Sequence, residues 1–272
     1  MEKVDIFKDI AERTGGDIYI GVVGAVRTGK STFIKKFMEL VVIPNIPNEA
    51  DQVRAQDELP QSAAGRTIMT TEPKFVPNQA VLVKVDEGLE VNVRLVDCVG
   101  YTVPGAKGYE DEDGPRMINT PWYEEPIPFH EAAEIGTRKV IQEHSTIGVV
   151  ITTDGTIGEI PREDFIDAED RVVNELKEVG KPFIMIVNST RPYHRETEQL
   201  RQDLEEKYDI PVLAMSIENM QEQDVLNVLR EALYEFPVLE VNVNLPSWVM
   251  VLKEDHWLRE SYQEAVKETV QD

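Results

Sequence analysis

Cysteine, basic residues and long apolar runs are all scarce in this chain of 272 residues. The single cysteine, Cys98, excludes an internal disulfide and is typical of a reducing compartment. Lys and Arg number 28 against 51 Asp and Glu, and the net charge of −23 argues against nucleic acid or an anionic membrane as the main partner. Apolar runs stay far below the ~18 residues of a membrane span, and the first residues lack the apolar core of a signal peptide. We therefore expect a soluble, intracellular protein.

What the chain does have is a composition that can fill a core, with 41% hydrophobic residues, and two alternating periodicities. β-branched runs alternate with segments whose apolar residues recur every three or four positions, which predicts an α/β fold with a mostly parallel sheet and helices on both faces. Asp86-Glu87-Gly88 predicts a turn that pairs its flanking strands as an antiparallel hairpin. The predicted strands are 18–23, 79–85, 91–96, 147–152, 182–187 and 212–215, and the predicted helices are 30–42, 162–179, 196–208 and 219–235.

Two regions interrupt this alternation. Residues 44–77 and 99–128 are rich in polar residues and proline and are predicted to be long loops, which in a compact domain are usually functional or mobile. After Pro237 come a strand-like run at 238–243 and a charged helix at about 253–270. We expect one domain over residues 1–237, followed by a connector over 238–272.

The strongest motif is G-x-x-x-x-G-K-S, which begins at Gly24 and ends at Ser31 between a predicted strand and a predicted helix. Its glycines let backbone N–H groups wrap a phosphate chain, and the helix N-terminus adds a favourable dipole. Lys30 would reach the β and γ phosphates, and the Ser31 hydroxyl would bind Mg²⁺. The alternative, a glycine-rich turn with a solvated lysine, fits this strand–loop–helix context poorly. The predicted phosphate-binding residues are Gly24, Ala25, Val26, Arg27, Thr28, Gly29, Lys30, Ser31 and Thr32.

Two further motifs fit the same site. Asp97 and Gly100 form a D-x-x-G at the end of an apolar strand, where the aspartate would order Mg²⁺ and the glycine N–H would meet the γ-phosphate. The alternative is an aspartate that only caps the strand. Thr70 and Thr71 lie in the polar region before the hairpin, where P-loop GTPases place a threonine that binds Mg²⁺ when the γ-phosphate is present. Either threonine qualifies, and both could instead be ordinary loop residues.

The guanine-binding motif N-K-x-D is altered. The strand at 182–187 is followed by Asn188 and Ser189, with Arg191 at the place of the aspartate. Arginine has donors only and cannot accept from guanine's ring N–H and amino group. Backbone groups of this loop could instead meet the amino donor and ring-nitrogen acceptor of adenine, so we predict that Asn188 and Ser189 contact the nucleotide and that ATP is preferred to GTP. Asp154 and its neighbours are interpreted as an ordinary turn.

The catalytic residues also depart from the GTPase pattern. Tyr101 follows D-x-x-G where many GTPases have a glutamine that orients the attacking water, and a phenol cannot fill that role. Hydrolysis should therefore be slow or depend on another group. Arg27, within the phosphate loop, could stabilise charge near the bridging oxygens, or it could equally point to solvent. Asp167, Glu169 and Asp170 are expected on the outer face of a helix, which leaves no carboxylate pair for acid–base chemistry.

Four segments carry a resemblance to a known family: residues 24–34, 70–75, 96–101 and 152–162. Together they resemble the stage IV sporulation protein A family. The resemblance implies a P-loop NTPase of the translation-factor-related branch that hydrolyses Mg·ATP and builds the basement layer of the bacterial spore coat. It also implies self-assembly into a static polymer at the forespore surface, in the mother-cell cytoplasm, beside other coat proteins. Further domains would follow, of which the last docks on a small membrane-bound anchor, so this chain would be an N-terminal part.

Two other functions stay open from the residues alone. A regulatory GTPase-like switch is disfavoured by the missing N-K-x-D. A nucleotide-binding structural module that does not hydrolyse is disfavoured by the presence of Lys30, Ser31 and Asp97. We therefore expect an ATPase domain over residues 1–237 in which the two predicted loops transmit the effect of hydrolysis to a neighbouring subunit.

Overall fold

The computed structural model describes residues 17–60, 72–86, 89–106, 110–111, 114–236, 252–253 and 256–271. The chain divides into two compact units, Met1–Phe236 and Pro237–Asp272. None of the helices among the described residues is long and apolar enough to cross a membrane. The first unit contains all the predicted phosphate-binding and base-binding residues.

A six-stranded sheet forms the centre of the first unit, in the order β10-β9-β8-β1-β3-β2. All neighbouring strands run parallel except β2, which pairs antiparallel with β3 at the sheet edge. The α/β fold and the antiparallel hairpin are thus confirmed. The strands of this sheet are β1 (Asp17–Val23), β2 (Lys74–Asp86), β3 (Leu89–Asp97), β8 (Ile147–Thr153), β9 (Phe183–Asn188) and β10 (Val212–Met215). Four short strands form two separate pairs: β4 (Glu110–Asp111) with β5 (Gly114–Pro115), and β6 (Met117–Thr120) with β7 (Tyr123–Pro128).

Helices cover both faces of the sheet, as predicted, because each buries one apolar stripe. One hydrophobic core packs alternate residues of β1 against the first and sixth helices along the chain. A second core, on the opposite face of the sheet, contains buried residues of the fourth and fifth helices. The fourth helix ends at Gly180, which adopts the left-handed conformation that favours glycine. The helices are α1 (Lys30–Phe37), α2 (Glu49–Asp57), α3 (Phe129–Lys139), α4 (Ile166–Val179), α5 (Arg195–Tyr208), α6 (Glu222–Tyr234) and, in the second unit, α7 (Trp257–Gln271).

The two predicted long loops contain more regular structure than expected. In the first, Asn48 accepts a hydrogen bond from the Ala50 N–H at 2.9 Å and caps α2, and β2 begins already at Lys74. In the second, the chain forms the β6–β7 hairpin, and α3 follows it without having been predicted. Prediction of residues 44–77 and 99–128 as loops was therefore wrong over α2 and these strands.

The remaining differences are small. The helix predicted at 30–42 is α1 followed by a π-helical turn, Met38–Val42. The charged helix predicted at about 253–270 is α7. The strand predicted at 238–243 lies outside the described residues.

The topology places the candidate site. The carboxyl ends of the parallel strands lie along one edge of the sheet, and β1 lies between β3 and β8. The chain winds away from β1 in both directions, and open α/β sheets bind ligands in the crevice at such a point. The loops after β1, β3, β8 and β9 meet there.

Candidate functional site

The phosphate loop follows β1 and is joined to the D-x-x-G loop by backbone hydrogen bonds. The Val26 N–H donates to the Tyr101 carbonyl at 2.8 Å, and the Tyr101 N–H donates to the Gly24 carbonyl at 3.2 Å. Gly24 has a φ of 135°, and a Cβ there would lie 2.3 Å from the Ile151 carbonyl oxygen. Only glycine fits this close passage, which explains the first glycine of the motif.

Lys30 lies inside the phosphate loop. Its side chain is buried, and Nζ donates to the Ala25 carbonyl at 2.5 Å. Burial lowers the pKa of Lys30, whereas Cys98 and Asp97 act to raise it. An ammonium has three donors, and a carbonyl cannot neutralise its charge. The first-turn N–H groups of α1 have no acceptor inside the helix, so the loop combines a buried cation with amide donors and suits a phosphate chain.

Asp97, the predicted magnesium ligand, ends β3. Burial raises the pKa of its carboxyl to about 6, and Lys30 and a hydrogen bond from Ser31 act against that shift. Its Oδ1 is buried and has no hydrogen-bond partner among the described residues. A buried carboxylate oxygen beside a serine hydroxyl fits a hard divalent cation.

The described part of the chain has no cluster of three or more His, Cys, Asp or Glu residues that could hold a metal. Thr70 and Thr71, predicted to bind Mg²⁺, lie outside the described residues. Their roles therefore stay predictions.

Gly100 contacts the phosphate loop but its N–H is engaged elsewhere. A Cβ on Gly100 would lie 2.5 Å from Lys30 Nζ, so the glycine lies directly against the buried cation. Its N–H donates to Thr137 Oγ1 at 3.2 Å, and that hydroxyl donates to the Ala133 carbonyl at 2.8 Å. The donor predicted to meet the γ-phosphate is thus bound to a side chain of α3, which the motif did not indicate.

The Tyr101 side chain points away from the phosphate loop, whereas Arg27 is exposed within that loop. Tyr101 is buried, its hydroxyl donates to the Glu175 carboxylate, and the Arg171 guanidinium lies 4.4 Å from the ring centroid. The phenol thus packs against α4. Arg27 is exposed, with a φ of 67°, as in the interpretation of a solvent-facing arginine.

Asn188 connects the phosphate loop to the turn after β10. Its side chain is buried, Nδ2 donates to the Thr28 carbonyl at 3.0 Å, and Oδ1 accepts from the Ile217 N–H at 3.2 Å. A Cβ on Gly29 would lie 2.5 Å from Nδ2, so glycine is required at this contact. Asn188 therefore joins the phosphate loop to that turn, with one polar atom of its amide bonded to each.

Asp154 was expected to be an ordinary turn residue, but its carboxylate holds the loop after β9 in place. Its Oδ2 accepts from Ser189 Oγ at 2.6 Å and from Thr197 Oγ1 at 2.9 Å, and its Oδ1 accepts from the Thr156 N–H at 3.0 Å and from the Thr156 hydroxyl at 2.6 Å. Burial would raise the pKa of Asp154, but these hydrogen bonds, led by that from Ser189, lower it below its ordinary value. The Ser189 side chain thus points at Asp154 and fixes the loop after β9.

The backbone donors of that loop are already used. The Ser189 N–H donates to the Met215 carbonyl at 3.0 Å. The Thr190 N–H donates to Thr156 Oγ1 at 2.9 Å, and the Arg191 N–H donates to Ser189 Oγ at 2.9 Å. The expectation that this backbone supplies both a donor and an acceptor to adenine is therefore wrong for the donor. Its carbonyls can still accept from an adenine amino group.

Glu169 is a further correction. It was expected on the outer face of its helix, but it is buried and forms a bidentate ion pair with Arg162, in which Nη2 lies 2.9 Å from Oε2. Arg162 precedes α4, and the helical pattern alone did not reveal this partner. Pairing with a guanidinium is what allows a carboxylate to be buried.

A groove of about 520 Å³ lies between α2 and β2, lined by residues such as Arg54, Ala55 and Leu82. None of the predicted site residues lines it. The groove is therefore separate from the candidate site, and its shape adds nothing to the assignment of nucleotide binding.

Comparison with known proteins matches residues 1–237 to the ATPase domain of stage IV sporulation protein A and residues 238–272 to its middle domain. The stage IV sporulation protein A of Bacillus subtilis (strain 168) is 86% identical over all 272 residues, and that of Clostridioides difficile (strain 630) is 51% identical over 98% of the chain. The chain spans 55% of the length of each. A crystal structure of an SsGBP mutation variant, 13% identical, aligns with 84% of this chain and 57% of its own with a TM-score of 0.42, which is too low to support an argument. The family match and the sequence identities agree, so the chain belongs to the stage IV sporulation protein A family and contains its ATPase domain.

Proposed function

We propose that residues 1–237 form a P-loop ATPase of the translation-factor and GTPase-like type, and that its Mg·ATP hydrolysis drives self-assembly into the basement layer of the spore coat. The observation that carries the proposal is the buried Lys30, whose ammonium donates to the Ala25 carbonyl inside the phosphate loop. Asp97 offsets part of this buried charge, and an anion bound in the loop would offset more of it. A nucleotide triphosphate supplies that anion.

The strand order supports the GTPase-like type. The phosphate loop follows β1, Asp97 ends the neighbouring β3, and Asn188 ends β9 on the other side of β8. Three motifs separated widely in sequence therefore lie at one edge of the sheet, with the phosphate loop between the predicted magnesium and base positions.

Each residue has a defined task in this proposal. Lys30 and the amides of the phosphate loop offset the charge of the β and γ phosphates. Ser31 and Asp97 hold Mg²⁺, and Thr70 or Thr71 joins them when the γ-phosphate is present. When bound, the ion neutralises charge that develops on the phosphate oxygens. Gly100 detects the γ-phosphate, and Arg27 is available at the loop surface to stabilise charge.

Hydrolysis is proposed to be slow. The Tyr101 hydroxyl is committed to Glu175, so it does not orient a water molecule at the γ-phosphate. A turnover that depends on a group from a neighbouring subunit suits a protein whose assembly is coupled to ATP. This is also why a second copy of the chain is the first partner that we propose.

The cellular setting is likewise a proposal. The relatives are sporulation proteins by name, which supports a place at the forespore surface in the mother-cell cytoplasm. Other coat proteins and a small membrane-bound anchor are proposed partners through regions outside this chain. Nucleic acid is not proposed, because the chain carries a net charge of −23.

The experiment that tests nucleotide binding is an equilibrium titration of ATP against Lys30→Ala. Loss of a charged donor should weaken binding by at least about tenfold. Lys35→Ala is the matched control, since Lys35 is on the same helix, has a side chain that is 45% exposed, and forms a surface ion pair with Glu39. Equal affinity of Lys30→Ala and wild type would remove the basis of the proposal.

A further inference from the structure

A buried hydrogen bond joins the D-x-x-G loop to α3. The Gly100 N–H donates to Thr137 Oγ1 at 3.2 Å, and both residues are buried. The Thr137 hydroxyl donates its hydrogen bond to the Ala133 carbonyl, one turn earlier in α3, at 2.8 Å. Thr137 therefore meets Gly100 as an acceptor, through an oxygen lone pair.

Gly100 itself lies against the phosphate loop and Lys30. A Cβ on Gly100 would lie 2.5 Å from Lys30 Nζ and 2.2 Å from the Gly24 carbonyl oxygen, so nothing separates this peptide from the phosphate loop. Gly100 has a φ of 94°, in the region that glycine adopts readily. A peptide without a Cβ can rotate there at small cost.

We infer that Thr137 competes with the γ-phosphate of ATP for the Gly100 N–H and is thus a residue that sets how well the site distinguishes ATP from ADP. The inference rests on the proposed function, because it requires nucleotide at Lys30. In the absence of a γ-phosphate the amide binds Thr137. With ATP it turns to a phosphate oxygen.

The energetics of this exchange favour ATP. A charged phosphate oxygen is a stronger acceptor than a hydroxyl, so the amide gains by leaving Thr137. Thr137 loses only an accepted bond and keeps its donor bond to Ala133, so no buried donor is left without a partner. Binding of ATP nevertheless breaks the hydrogen bond between Gly100 and Thr137, and this lowers the binding free energy of ATP but not that of ADP. Removing the Thr137 acceptor removes this cost.

The test compares dissociation constants for ADP and for a non-hydrolysable ATP analogue in wild type, Thr137→Val and Thr137→Ser. Thr137→Val keeps the shape and loses the acceptor. The ratio of the ADP constant to the ATP-analogue constant should rise about fivefold, the worth of one neutral hydrogen bond. The ADP constant itself should stay unchanged, because free and ADP-bound protein contain the same bond. Thr137→Ser keeps the hydroxyl and should match wild type.

An unchanged ratio in Thr137→Val, or an equal rise in Thr137→Ser, would overturn the inference while leaving the proposed function intact. Failure of wild type to bind either nucleotide would instead overturn the proposed function, and the inference with it. Since a buried substitution can prevent folding, the wild-type chain provides a second measurement. With ¹⁵N-glycine labelling, the Gly100 amide resonance should move on addition of the ATP analogue and stay near its free position with ADP, and equal movement with both would contradict the inference.

Discussion

At the end of β3, the carboxylate of Asp97 is held where burial disfavours its charge. The pKa rises to about 6 although Lys30 acts to lower it, and Oδ1 has no hydrogen-bond partner in the described part of the chain. Such a group lowers stability in the free protein. A residue that lowers the stability of the free protein in this way is typical of a site that binds a ligand.

This burial predicts a pH dependence of stability. The pKa of the Asp97 carboxyl is 3.8 in the unfolded chain and about 6 in the folded protein, so the folded state binds the proton more tightly. Stability from protonated Asp97 is complete below pH 3.8 and is lost as the pH rises through about 6. Wild type should therefore lose up to about 3 kcal/mol of unfolding free energy relative to Asp97→Asn between pH 4 and pH 7.

Urea unfolding at four pH values, without nucleotide or Mg²⁺, measures this difference. Asp170→Asn serves as the comparison, because Asp170 bonds Lys207 and Tyr208 and its pKa is lowered. That variant should diverge from wild type as the pH rises, with the opposite sign. A difference between wild type and Asp97→Asn that does not change with pH would show that the Asp97 carboxyl is not perturbed by burial.

Among the elements, β8, β9 and α5 are held together at their ends by Asp154. Its carboxylate accepts four hydrogen bonds, two of them from Ser189 and Thr197. An amide in its place would turn an NH₂ group toward hydroxyl donors. The loop after β9 would then lose the support that fixes Ser189.

Asp154→Asn should therefore weaken ATP binding by about tenfold and lower the free energy of unfolding by about 2 kcal/mol. The effect on binding follows because Asn188, next to Ser189, holds the phosphate loop through the Thr28 carbonyl. Calorimetric titration with ATP and thermal unfolding measure the two effects. Unaltered affinity together with lowered stability would limit Asp154 to a structural role.

Elements with strong local patterns were predictable from the sequence, and those with weak patterns were not. The residues that predicted α1, Phe33, Ile34 and Phe37, are all buried against β1. By contrast, Ala55 is the single buried residue of α2, so that helix shows no apolar stripe. In α3 the buried face includes Gly136 and Thr137, which do not mark a hydrophobic period.

The same limit applied to the site. The phosphate loop and Asp97 were predictable because a motif fixes both residue type and local structure. The partners of Asp154 lie 35 and 43 residues away, and Thr137 lies 37 residues from Gly100. Such contacts depend on how strands and helices are arranged in space, and a single sequence does not specify them.

At the scale of the whole molecule, the sheet order brings together residues from the first and last parts of the domain. Lys30 begins α1 directly after the phosphate loop, Asp97 ends β3 just before Gly100, and Asn188 ends β9. We propose that this edge of the sheet binds and hydrolyses Mg·ATP. The altered N-K-x-D motif predicts that guanine is not selected.

The decisive measurement for this site is phosphate release from ATP and from GTP, side by side, with Mg²⁺ and with a chelator. We predict slow release from ATP that requires Mg²⁺, and a preference over GTP of roughly tenfold, because backbone carbonyls recognise adenine less strongly than charged side chains would. Faster release from GTP, or release from ATP that persists when the chelator removes Mg²⁺, would contradict this prediction.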